Sequence, residues 1–235
     1  AWMLSAAYVT LHKRHIGITV FYIMASDRGK WWLDLFAYVI GVIALWLLID
    51  DSVIRALESV MMIERAGSAW NSPQPLILKS MLTLGAIVYI LQLMINLYRH
   101  FSSKLAKNIV LIVCGLILLR ITCVIIVHFM GEESFFGYIN SIYAYVGSFI
   151  NPQEIINMRD MDIGTASLLI VALMLVLMMT GMPLGVVTLF VSILSALFYF
   201  GYGGLYLVST NAFGLLEKYP LIAVPLFVLM ASILE

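Results

Sequence analysis

Arg120 is the residue best placed to do chemistry, because it lies near the middle of the apolar run NIVLIVCGLILLRITCVIIVHFM, residues 108–130. An arginine at such a depth costs roughly 2.5–3.5 kcal/mol on insertion scales, so it needs an answering group. It either lines an anion path or makes an ion pair or carbonyl clamp that fastens its helix to a neighbour. Asp34, Asp50 and Asp51 flank the run 33–49, within reach of water, and their placement predicts boundary residues rather than partners. His12 and His15 have a metal-compatible spacing. Lys13 and Arg14 stand between them, however, and no Cys or carboxylate follows before Asp27, so a turn touching headgroups is expected instead. Cys114 and Cys123 are about 13 Å apart along a helix, beyond disulfide reach. The stretch GYGG (201–204) has no Lys-Ser/Thr after it, which leaves a flexible turn rather than a phosphate loop. His128 stands near the outer end of its run, and the methionines of 174–182 suit lipid contact or gap filling. No catalytic or metal-binding constellation emerges, and no cofactor is expected.

The surroundings of these residues are overwhelmingly apolar. Of the 235 residues 63% are hydrophobic and 11% charged, with a mean hydropathy of +1.04. Soluble domains carry about 25% charged residues, so lipid must solvate much of this chain. With 13 basic and 13 acidic residues there is no basic excess with which to hold a nucleic acid.

A membrane-crossing helix needs about 20 apolar residues. The runs 1–11, 33–49, 76–98, 109–130, 163–180, 184–200 and 219–234 are complete or truncated examples. The expected fold is an all-α integral membrane protein, a multi-span helical bundle with interfacial helices. The two interfacial stretches are 15–32 and 52–67. In the second, Val53, Leu57, Val60 and Met61 share one face. Trp31 and Trp32 head run 33–49, as interfacial anchors do. Gly181, Pro183 and Gly185 break the apolar stretch 163–200, which predicts a hairpin. Pro225 should kink the final run or free a carbonyl within it.

Charge asymmetry sets an orientation. Segments 12–32 and 99–108 are basic, whereas 50–75 and 131–162 are rich in acids. By the positive-inside rule the first pair faces the cytoplasm and the second pair lies outside. Neither end looks natural, so the chain is expected to be an internal piece of a longer protein.

Several short motifs occur in an ordered series: HKRHIGITVFY (12–22); Pro75, Lys79, Gly85, Gln92 and Arg99 within 72–100; LMMTGMPLGVVTLF (177–190); and KYPLIAVPLFVLMASILE (218–235). The first two resemble the small membrane subunit of tripartite ATP-independent periplasmic (TRAP) transporters. The last two resemble the opening of that system's large membrane subunit. The resemblance covers about 1–100 and 163–235 and implies a fusion. Residues 1–108 would be an N-terminally truncated small-subunit domain. Residues 109–162 would be a linker with one extra transmembrane helix and a periplasmic segment. Residues 163–235 would begin a C-terminally truncated permease domain, with Met161 near its start. The extra crossing returns the chain to the outer side, where the large subunit begins.

The resemblance implies a bacterial inner-membrane component of a sodium-coupled secondary transporter, not an enzyme. Its partners would be a periplasmic solute-binding protein, the lipid bilayer and an organic acid such as a dicarboxylate. A membrane-embedded enzyme or a structural anchor is the alternative. The family keeps its sites in the large subunit, so substrate and ion sites are expected downstream of Glu235 and the clamp is preferred for Arg120. Asp50, Asp51, Glu132 and Glu133 are candidate contacts for the binding protein. Gly181, Pro183 and Pro225 are structural candidates.

Overall fold

A computed structural model describes residues 9–11, 20–66, 71–130, 158–216 and 230. The secondary structure among them is helical, with no strand. The elements are α1 (Val20–Met24), α2 (Asp27–Met61), α3 (Gln74–His100), α4 (Lys104–Met130), α5 (Ile163–Met179), α6 (Leu184–Phe200) and α7 (Gly204–Leu216). By length and composition α2, α3 and α4 can each cross a membrane. Helices α5 and α6 are apolar and 17 residues each, at the short limit for crossing.

Local chemistry accounts for the boundaries. Ser26 caps α2 by accepting from the Gly29 amide at 3.3 Å, satisfying a donor the first turn leaves open. Pro75 sits in the first turn of α3, where a missing N–H costs nothing. Arg99 and His100 complement the dipole in its last turn. Asp162 caps α5 through the Gly164 amide at 3.2 Å. The chain's return to helix after the polar stretch Arg159–Asp162 is therefore locally encoded.

Three contacts orient the bundle. At one end, the Trp31 ring of α2 stacks on His100 of α3, with centroids 4.9 Å apart. At the other end the Thr83 hydroxyl of α3 donates to the Ser52 carbonyl of α2 at 3.2 Å. The two helices thus run antiparallel over about 25 Å. Lys107 of α4 lies 5.3 Å from the Tyr98 ring, so α4 starts at the tryptophan end. Leu45, Ile49 and Val53 of α2, Ala86, Ile90 and Leu93 of α3, and Ile117, Ile121 and Val124 of α4 form the main core. Gly41 lets α2 approach both α3 and α6, because a Cβ there would stand 2.9 Å from Leu93 and 3.4 Å from Val186. A second core joins Ile40 of α2 to Leu177, Met182, Val186, Val187 and Val191. Helices α4 and α5 instead expose Leu105, Ile112, Leu116, Leu119, Ile163, Leu168 and Val176.

The hairpin expected at 181–185 is present, with α5 and α6 joined through Thr180–Pro183. Gly181 takes φ +84°, a left-handed conformation open to glycine, and packs against Tyr22. The expected interfacial helix over 52–67 is corrected. Residues 52–61 continue α2 without a break, making one helix of 35 residues. No proline or glycine interrupts 42–61, and the charges at its middle are paired, so nothing terminates the helix. The stretch 15–32 also divides differently. Among its described residues, Val20–Met24 forms a separate short helix and residues from Asp27 onward belong to α2. The turn at 201–204 is a short 3-10 segment, Gly201–Gly203, leading directly into α7. His12, His15, Glu132, Glu133 and Pro225 lie outside the described residues, as do most of runs 1–11 and 219–234.

Candidate functional site

The polar side chains of the bundle converge at the end opposite the tryptophans. About 27 Å of helix separates Trp32 from Asp50, and about 24 Å separates Lys104 from Arg120. Arg120 therefore lies nearer the far end of α4 than its start, level with Asp50 of α2. Arg120 is near the middle of the apolar run, but α4 itself begins earlier, at Lys104.

Asp50 and Asp51 are neighbours in sequence, so they point about 100° apart around α2 and address different helices. Asp50 Oδ1 accepts from Arg120 Nε at 3.3 Å and Nη2 at 3.2 Å, tying α4 to α2. Asp51 Oδ2 pairs with Arg55 Nε at 2.8 Å, one turn along α2, and also accepts from the Ser209 hydroxyl of α7. The expectation that these aspartates are boundary residues rather than partners is corrected. Asp34 is engaged as well, accepting from the Tyr22 hydroxyl at 3.3 Å.

Arg55 is the hub, and the sequence reading passed over it. Its Nη1 donates to the Thr210 hydroxyl at 2.5 Å, its Nη2 donates to the Tyr206 carbonyl at 3.2 Å, and its guanidinium lies 3.7 Å from the Tyr206 ring centroid. A planar fork of donors suits such a task better than an ammonium would. Helix α7 was also missed, although Ser209, Thr210 and Asn211 in an otherwise apolar stretch were a usable signal. Gly204 opens this helix against α6, where a Cβ would lie 2.3 Å from the Ala196 carbonyl oxygen. Side-chain exposures of 15% for Arg55, 21% for Arg120 and 28% for each aspartate show partial burial. Two cations and two anions cancel, which is what low-dielectric surroundings require.

A further pair stands beside the network. Lys79 of α3 donates to Glu64 Oε2 at 2.6 Å and lies 5.9 Å from the Phe213 ring of α7. The hydrogen bond from Lys79 holds the Glu64 carboxyl below its ordinary range.

Chemically, this arrangement fastens helices together. Each arginine is directed at a carboxylate, and among the described residues no group of three or more His, Cys, Asp or Glu can hold a metal. Cys114 and Cys123 are free thiols. Between α2, α3, α6 and α7 runs an open apolar groove of about 1040 Å³, into which Thr188, Ser192 and Ser195 of α6 bring hydroxyls. Each of those hydroxyls donates to a carbonyl of its own helix.

Compared with protein families, curated proteins and solved structures, the chain matches none of them.

Proposed function

We propose that this chain is the membrane part of a bacterial inner-membrane, multi-pass secondary transporter of the TRAP type, with small- and large-subunit regions fused. On this reading it serves sodium-coupled import of an organic acid, a dicarboxylate or related carboxylate, delivered by a periplasmic binding protein, and it is not an enzyme. The observation that carries the reading is the docking of α6 and α7 on α2, with Val186 of α6 beside Gly41 and with Ser209 and Thr210 of α7 held by Asp51 and Arg55. The segments carrying the two halves of the resemblance thus pack on one another. The hairpin at Gly181–Pro183, expected at that point of the resemblance, adds support.

The described residues of the small-subunit region serve as scaffold. A hard cation wants several oxygen ligands, and Asp50 and Asp51 of α2 are already committed to arginines. On this reading the sodium and substrate sites lie outside this scaffold region. The transporter expressed with its binding protein should take up an organic acid only when sodium is supplied outside. Sodium-independent uptake, or none across a panel of carboxylates, would reject the proposal. Topology has its own check. A cysteine replacing Asp160 should react with an impermeant reagent from outside, whereas one replacing Ser102 should not.

A further inference from the structure

The tryptophan end of the bundle carries cations that are not absorbed into its interior. Arg28 near the start of α2, Arg99 in the last turn of α3 and Lys104 at the start of α4 are exposed. Lys107 projects beside Tyr98, and Lys30 has only a 3.8 Å contact with the fully exposed Asp27. Asp27 is the single carboxylate within the described segments 20–33 and 99–107. Just inside this ring stand aromatic side chains. Trp31 is held flat on His100, whose Nε2 lies 3.2 Å from the Trp31 carbonyl, and meets Trp32 edge-on with centroids 5.1 Å apart. Trp32 is 64% exposed. Beyond the aromatics the surface turns apolar, with Phe36, Val39, Ile109 and Ile112 all exposed. Cations, then indoles, then aliphatic side chains is the order in which a bilayer presents phosphates, glycerol region and acyl chains.

We propose that this rim recognises anionic phospholipid headgroups, favouring them over zwitterionic ones where α2, α3 and α4 meet the membrane surface. The inference rests on the membrane reading above but not on transport. Charge complementarity selects the occupant, because the cations here are exposed whereas Arg55, Lys79 and Arg120 at the far end are paired with carboxylates. The cations are spread around three helix ends rather than gathered in a pocket, which fits a headgroup layer and not one captured soluble phosphate. Juxtamembrane lysines and arginines each favour an anionic surface severalfold, and salt weakens that preference.

The test uses the chain with Trp2, Trp46 and Trp70 replaced by phenylalanine, so that Trp31 and Trp32 report alone. It is reconstituted in phosphatidylcholine vesicles containing brominated phosphatidylglycerol or brominated phosphatidylcholine. Quenching should show phosphatidylglycerol preferred about threefold or more at low salt, falling toward parity near 0.5 M salt, on the order expected for headgroup attraction. The triple substitution R99Q/K104Q/K107Q should abolish the preference, while K104R/K107R should keep it. Soluble glycerol phosphate should not compete; competition by it would overturn a headgroup site in favour of a free-phosphate site. Equal quenching by both lipids, or a preference unmoved by salt and by the triple substitution, would overturn the proposal with the membrane reading intact. Failure to insert into either vesicle would overturn both.

Discussion

The two ends of α2 carry similar numbers of charges and use them in opposite ways. At the aspartate end, Asp50, Asp51 and Arg55 are turned toward Arg120 of α4 and Ser209 and Thr210 of α7. At the tryptophan end Arg28, Arg99 and Lys104 face outward over exposed indole. The difference follows from what each end has to bury. Helix α7 crosses the aspartate end and removes part of it from solvent, so charges there must find partners or be neutral. At the tryptophan end Arg28, Arg99 and Lys104 stay exposed and keep their hydration. Charge is adhesive inside the bundle at one end and a docking feature at the other.

The comparison breaks first at Arg55. R55M should destabilise the chain by about 2–3 kcal/mol, somewhat below the 3–5 kcal/mol of fully buried broken pairs because the site is part-exposed. Thermal unfolding in detergent measures this, and proteolysis of α7 should accelerate in parallel. A loss under about 0.5 kcal/mol would make the network ornamental.

The second pair should matter less, since it joins two helices already packed through Ile117, Ile121 and Val124. R120L should cost about 1–2 kcal/mol, and the double variant D50L/R120L should recover most of it, because a removed pair leaves no orphan charge. Uptake by R120L should fall only in step with the amount of assembled protein. Abolished uptake at normal abundance would return Arg120 to the anion path.

Acid should separate the ends more gently. Glu64 has a lowered pKa, so its pairing with Lys79 contributes fully above the ordinary value of 4.5 and is lost as pH falls through the lowered one. Stability should therefore decline on acidification below that ordinary value, and E64Q should flatten that part of the profile. An unchanged profile in E64Q would show the pair to be solvent-screened.

The smallest effect belongs to the rim. K104Q/K107Q should shift stability by no more than about 0.5 kcal/mol, as surface changes usually do. A larger loss would mean these lysines are internal glue like Arg55, and the contrast between the ends would collapse.

Much of the fold was legible in the residues themselves. Long apolar runs located α2 to α6, and Pro183 with Gly181 marked the hairpin, because backbone restrictions act locally. The continuation of α2 through Asp50 and Asp51 was not legible. Two adjacent acids read as a span's end unless their partners, 70 and 158 residues away, are known. Helix α7 was hidden for a related reason. Thirteen residues with Ser, Thr and Asn among apolar ones fit neither a crossing nor a loop until α2 supplies Arg55 opposite them.

The amino-acid sequence by itself determined that this chain is helical, apolar and charge-balanced, with clusters of basic residues near the start of α2 and between α3 and α4. Those properties depend on composition and on period, which need no knowledge of neighbours. Tertiary structure alone decided which charges answer one another, the partner of Arg120 and the role of Arg55. An ion pair is fixed by the distance between side chains on different helices, and that distance is set only when the helices have packed.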